Sequence, residues 1–240
     1  MTSSLVNHYL VQVRNYLRLQ RWDDVAVMAG RSFTVTLLAG GEYNLNYLLV
    51  SADIKLVFRV NIGTQIARED QIVYEYNTLR LLEHSRVTPT PYFVDDSRTV
   101  IDRGILIMEF LEGRPLDYQL DLNAAAQVFA KIHQARADGD SGHLIVEQQP
   151  LSMIFAECAG LLEKYFRSEL ARPGIRAYLE QLLKWAENEK DKEYYFIADP
   201  WLCIVNTEVN SGNFIVNEER KSIHLIDWEM ARWGDPSSCL

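Results

Sequence analysis

The order of patterns along the chain predicts an α+β fold in two parts, a mostly antiparallel sheet followed by a mainly helical region. Three observations predict it. Near the N-terminus the β-type runs 33–38, 43–50 and 54–60 succeed one another through Ala39-Gly40-Gly41-Glu42 and Ser51-Ala52-Asp53. Links that short join strands antiparallel. Beyond residue 114 the apolar residues return at helical rather than strand spacing. Close to the C-terminus the runs 214–216 and 222–226 flank a polar turn, 217–221, and read as one hairpin.

Each element has its own signal. Leu5, Val6, Tyr9, Leu10, Val13, Tyr16 and Leu17 mark an amphipathic helix over 4–19, with Ser3 or Ser4 able to cap it. A second helix spans 68–84, with Ile72, Val73, Tyr76, Leu79 and Leu82 on one side. Thr88-Pro89-Thr90-Pro91 breaks it and starts a strand at Tyr92. A buried strand begins at Ile105 and runs into Glu112-Gly113-Arg114-Pro115. Further helices are predicted over 123–137, 151–170 and 176–188, the last two joined at Arg172-Pro173-Gly174. Between them 138–142 is a loop, and the mixed charges of 187–193 form a solvated end.

Composition sets the outer limits. A chain of 240 residues can bury a full core, and 48% hydrophobic with 24% charged residues is ordinary globular usage. No apolar run reaches bilayer-spanning length, and residues 1–9 lack the basic-then-apolar order of a signal peptide, so a cytoplasmic protein with no membrane partner is expected. Cys158, Cys203 and Cys239 are odd in number and widely spaced, which suits reduced thiols rather than a disulfide framework or a zinc site. The formal charge of -9 argues against a nucleic-acid partner. It is compatible with a cationic small molecule, which an acidic cleft would concentrate.

The chemistry gathers around the late hairpin. Glu208 lies in the loop before it, Asn213 at its start and Asp227 at its far end, so the hairpin brings the three toward one place. Two oxygen ligands beside a carboxylate are what Mg²⁺-dependent phosphoryl transfer requires, because the metal is hard and neutralises phosphate charge. In the kinase catalytic loop an Asp stands five residues before the metal-binding Asn. Glu208 and Asn213 keep that spacing.

The segment from Asn206 to Asn213, then Ile226-Asp227-Trp228-Glu229 and Gly234-Asp235-Pro236, resembles the aminoglycoside phosphotransferase and choline kinase branch of the protein-kinase-like fold. That family writes the first motif His-Gly-Asp-Leu-His-Pro-Gly-Asn. Asn206 therefore replaces the leading His, and Glu208 replaces the catalytic Asp. The resemblance implies a nucleotide-binding lobe over 1–107, a hinge at 108–113 and a C-terminal lobe over 114–240. Family members run on through several more helices after Gly-Asp-Pro, so a shortened C-terminal lobe is expected.

The same resemblance assigns the remaining roles. Gly40, Gly41 and Asn44 match a Gly-Gly-x-x-Asn loop over nucleotide phosphates, where glycine allows close approach with free N–H groups toward anionic oxygen. Arg59 stands at the phosphate-binding base, with Lys55 on the same strand face as an alternative, and Glu75 is its helical partner. Met108 precedes a hinge whose backbone at Glu109 and Leu111 holds adenine. His133 matches a structural histidine of the family. The implied activity uses ATP (or GTP) and Mg²⁺, with Glu208 as the working carboxylate, Asn213 and Asp227 on the metal and a small-molecule hydroxyl as acceptor. Because Glu208 departs from the family's Asp, the alternative is a nucleotide-binding pseudokinase.

Overall fold

The computed structural model describes residues 3–52, 54–135, 142–147, 149–193 and 202–239. Helix α1 (Ser3–Leu19) leads into strands β1 (Thr34–Gly40), β2 (Asn44–Ser51) and β3 (Ile54–Asn61). Helix α2 (Gln71–Leu82), β4 (Pro91–Asp95) and β5 (Ile105–Glu109) complete the first lobe. The five strands form one sheet in the order β1-β2-β3-β5-β4, with every neighbouring pair antiparallel.

Period-two alternation assigns the two faces of that sheet. Leu45, Tyr47 and Leu49 of β2 and Leu56, Phe58 and Val60 of β3 face α1, where they bury Tyr9, Val13 and Tyr16. Each large side chain so buried contributes roughly 1.5–3 kcal/mol by leaving water. Two hydroxyls lock the helix on: Tyr47 Oη donates to the Val6 carbonyl (2.9 Å) and Tyr16 Oη to Asp95 Oδ2 (2.6 Å). The opposite face carries Asn44, Asn46, Val57 and Arg59. Asn46 and Arg59 are direct partners in the β2–β3 register.

The second lobe holds α3 (Leu122–His133), α4 (Pro150–Phe166), α5 (Pro173–Glu189), β6 (Cys203–Asn206), β7 (Phe214–Asn217), β8 (Ser222–Leu225) and β9 (Ala231–Gly234). Strands β7 and β8 form the expected hairpin, and β6 pairs with β9 beside it. One core runs through both lobes: Val57, Ile72 and Met108 pack in the same cluster as Val128, Ile204, Phe214 and Trp228. The chain between them passes Gly113, where an added Cβ would stand 2.4 Å from the Val216 carbonyl oxygen. Only glycine lets the chain lie that close to β7.

Several ends differ from the sequence-based expectation. Helix α2 begins at Gln71 rather than 68, because the Arg68 guanidinium forks onto Asp70 (2.9 and 2.8 Å) and its N–H goes to Thr64 Oγ1. Strand β1 extends through Gly40, with a register shift between Leu37 and Ala39. Of the loop expected at 138–142, all but Gly142 lies outside the described residues, as do the end of the helix expected to reach 137 and Asp53 of the second strand link. Cys203 and Cys239 are buried free thiols, and burial pushes the Cys203 thiol up to about 12. Among the described residues no helix is long and apolar enough to cross a membrane.

Helices α4 and α5 stand apart in their packing. Pro150 is the one buried residue of α4, and α5 has none. Ile154, Leu161, Tyr178, Leu182 and Trp185 are all exposed.

Candidate active site

Strand β6 ends at Asn206, which is fully buried. Its Nδ2 donates to the Asp227 carbonyl (2.8 Å), and its Oδ1 accepts the Glu208 N–H (3.1 Å). One carboxamide thus pins both the loop after β6 and the turn after β8. The loop then winds through a short 3₁₀ turn, Ser211–Asn213, capped by Asn210, whose Oδ1 accepts the Gly212 N–H (2.8 Å). Asn213 donates through Nδ2 to the Glu208 carbonyl (2.8 Å), so the acceptor end of its amide is the oxygen. The Ile226 N–H closes onto the Asn213 carbonyl (2.8 Å), fixing the hairpin beneath the loop.

Asp227 adopts a left-handed backbone at φ 70°. Asp tolerates this region better than most residues, and backbone outliers of this kind gather at functional sites. Its carboxylate meets the sheet lobe at Arg59. Arg59 Nη1 donates to Asp227 Oδ1 (3.0 Å) and to Glu75 Oε1 (2.6 Å), while Nε donates to Asn46 Oδ1 (3.0 Å). Burial opposes the guanidinium charge, but Glu75, Asp227 and Glu229 outweigh it and hold the group protonated. Burial pushes the Glu75 carboxyl up to about 7; Arg59 pulls against that, and Glu229 and Asp227 add to it.

A cleft of about 310 Å³ lies between the lobes, lined by Gly41, Asn44, Arg59, Glu208, Asp227 and Glu229 among others. It therefore gathers the glycine turn, the strand base, the loop carboxylate and the hairpin carboxylate. Asn213 stands behind Glu208, and Glu75 stands behind Arg59. Four carboxylates, Glu42, Glu208, Asp227 and Glu229, face one guanidinium there. That balance favours cations at the mouth.

Other expected residues have different surroundings. The Gly41 N–H is occupied within its own turn by the Asn44 carbonyl (2.9 Å), so it is not a free donor as the glycine argument assumed. The Asn44 side chain is buried and donates to Glu229 Oε2 (2.6 Å). Gly40 is the last residue of β1 and does not line the cleft. Lys55 is exposed and ion-paired with Glu112, away from the cleft. Met108 is buried in the core shared by the lobes. In the segment expected as the hinge, the Glu109 N–H is taken by the Thr90 carbonyl (2.9 Å), and the Glu109 carboxylate accepts the Thr90 N–H (3.2 Å) and Oγ1–H (3.1 Å). Leu111 follows, half-buried, past the end of β5. His133 packs against Phe129 and lies 3.4 Å from Cys239 Sγ.

Several residues of the site escaped sequence reasoning: Glu42, Tyr43, Asn46, Gln65 and Glu229 of the cleft lining, and Gln71 beside them. Asn46 could have been found, since it stands two residues from Asn44 on the same strand face. Glu229 belongs to the Ile-Asp-Trp-Glu motif but was given no task. Gln65 and Gln71 carry no motif.

Residues 34–238 match the model of the phosphotransferase enzyme family APH. The chain belongs to that family. No curated protein sequence matches it. Among solved structures, a candidate aminoglycoside phosphotransferase from Ralstonia eutropha JMP134 superposes with a TM-score of 0.62 at 18% identity, over 94% of this chain and 66% of that one. Spectinomycin phosphotransferase APH(9)-Ia, in complex with ADP and spectinomycin, gives 0.60 at 13% identity, over 92% and 72%. Plasmodium vivax ethanolamine kinase gives 0.60 at 14%, over 86% and 58%. These likenesses establish a two-lobed kinase-like fold. The APH-family chain spans somewhat under two thirds of the first and last of these three proteins.

Proposed function

We propose that this member of the phosphotransferase family moves the γ-phosphoryl group of ATP (or GTP) to a hydroxyl of a small molecule. The observation that carries the reading is the placement of Arg59. It is buried between Glu75 of the helix and Asp227 of the hairpin, and it lines the same cleft as Glu208. A guanidinium held at that point can bind phosphate oxygens with a rigid fork. The Asn213 amide oxygen and the Asp227 carboxylate are hard oxygen donors and fit Mg²⁺. When bound there, the metal would neutralise phosphate charge.

In this reading the acceptor oxygen attacks the γ-phosphorus while the bond from phosphorus to the bridging oxygen breaks. The acceptor proton passes to Glu208, and Asn206 keeps the loop bearing Glu208 in register with Asp227. The hinge at Met108, Glu109 and Leu111 would hold the base, through Leu111 more than Glu109, whose N–H is already used. The turn at Gly41 would cover the phosphates, with Asn44 holding it to Glu229. The acidic rim supports an acceptor of cationic character. Two neighbours point the same way, one solved with ADP and spectinomycin and the other named for ethanolamine.

The test has two stages. Mg²⁺-ATP at millimolar concentration raises the melting temperature by mass action. A turnover screen against small alcohols and amino alcohols then finds an accepted hydroxyl. Glu208→Gln lowers that rate by about a hundred- to ten-thousandfold, as for loss of a general base, with the nucleotide-induced shift kept. No thermal shift in a folded protein sinks the nucleotide assignment. Binding without turnover, or equal rates for wild type and Glu208→Gln, favours the pseudokinase instead.

A further inference from the structure

A chain of hydrogen bonds leads from the buried Glu229 to the Glu208 carboxylate. Glu229 Oε2 accepts from Gln71 Nε2 (3.0 Å) as well as from Asn44. Gln71 opens α2 and is 1% exposed. Its Oε1 turns back into the β3–α2 loop, where it takes the Thr64 Oγ1–H and the Gln65 N–H, both at 2.8 Å. From this anchored loop Gln65 reaches over the cleft, and its Nε2 donates to Glu208 Oε2 at 2.8 Å. Gln65 is half-buried and lines the cleft beside Glu208.

The contact joins the two lobes. Gln65 belongs to the sheet lobe and Glu208 to the helical lobe, 143 residues further on. The Glu208 backbone is held from its own side, through Asn206 and Asn213. Its side chain is exposed, and Gln65 is its one hydrogen-bond partner among the described residues. A glutamate has one more rotatable bond than an aspartate, so in this loop its carboxylate is defined less by the backbone. A donor fixed opposite it selects one placement and leaves the second oxygen for the acceptor.

We propose that Gln65 is the positioning residue for Glu208, so that the working carboxylate is aligned only when the lobes are closed on each other. The proposal rests on the reading of Glu208 as the base. It explains how a side chain longer than the family's Asp can serve in this loop: the correction comes from the facing lobe.

Gln65→Met keeps the length of the side chain and removes the donor. With Mg²⁺-ATP and the best alcohol of the screen, or water where none is accepted, it lowers kcat about tenfold, since a misplaced group of this kind is costly. KM for Mg²⁺-ATP and the melting temperature stay at wild-type values, which a structural role would not allow. In a Glu208→Gln background the same substitution has no further effect. An independent readout is the ¹⁵N spectrum of the Gln65 carboxamide, assigned by its absence in Gln65→Met. Its signals move in Glu208→Ala. Unmoved signals, or a Gln65→Met enzyme with wild-type kcat, overturn the proposal while leaving the proposed function standing. A wild-type chain that turns over nothing overturns both.

Discussion

Between the lobes, charged and amide side chains are buried and bonded to one another; along the α4–α5 hairpin, apolar side chains stand in water. Arg59 is 4% exposed and Glu75 1%, whereas Trp185 is 62% exposed and Leu170, just past α4, 83%. Both regions break the rule of apolar inside and polar outside, and they do so for different reasons. The cleft tolerates burial because its ions and amides partner each other across three segments distant in sequence. The hairpin is a well-formed pair of amphipathic helices whose apolar stripes the described residues cover only in part. Polar burial here marks the candidate site. Apolar exposure marks a face that the described residues leave largely open.

The largest effect expected from breaking this contrast is at Arg59. Arg59→Ala leaves Glu75 buried without its cation and should cost about 3–5 kcal/mol, read from urea unfolding. Arg59→Lys should recover part of that, since it restores charge without the fork. A loss below about 1 kcal/mol for the alanine variant would mean that the cleft is as loosely held as the hairpin surface.

A smaller effect concerns pH. Burial raises the Glu229 carboxyl above its ordinary value; Arg59 opposes this and Asp227 adds to it. The folded chain therefore holds this proton more tightly than the unfolded chain. The resulting stability is complete below the unfolded carboxylate range and is lost as pH rises through the folded value. Burial lowers His133 and His224, which titrate with the opposite sign. Comparing Glu229→Gln with wild type cancels those two. The stability of the variant relative to wild type should grow as pH rises toward neutrality in metal-free buffer, and parallel curves would contradict the burial argument.

The smallest effect belongs to the hairpin. Leu182→Lys and Trp185→Lys should each change unfolding free energy by no more than about 0.5 kcal/mol, while lowering the fluorescence of a bound hydrophobic dye. A loss of 2 kcal/mol or more, on the order of a core truncation, would show that this face is packed after all.

What was legible in the sequence follows the range of the interactions. Glu208, Asn213 and Asp227 could be read because a local hairpin brings them together, and their spacing survives the replacement of Asp by Glu. Arg59 and Glu75 were legible through the order of strand base and helix acid. The partner of Asn44 was not, since Glu229 lies 185 residues away and no local pattern links them. Gln65 sits in a loop with no periodicity, so only the fold reveals what it faces. Strands β6 and β9 were missed as a pair because each is four residues long and they meet only across the finished lobe. Helical period announced α4 and α5 correctly, but a period describes a face and says nothing of what will cover it.

Asn206 carries a consequence for how the site responds to acid. The resembling family places histidine there, a ring whose donor and acceptor roles change as it takes up a proton near neutrality. A carboxamide gives one N–H to the Asp227 carbonyl and receives one from Glu208 without any proton of its own to gain or lose. The pin between the two loops is therefore indifferent to pH, and any acid sensitivity of this centre must come from its carboxylates.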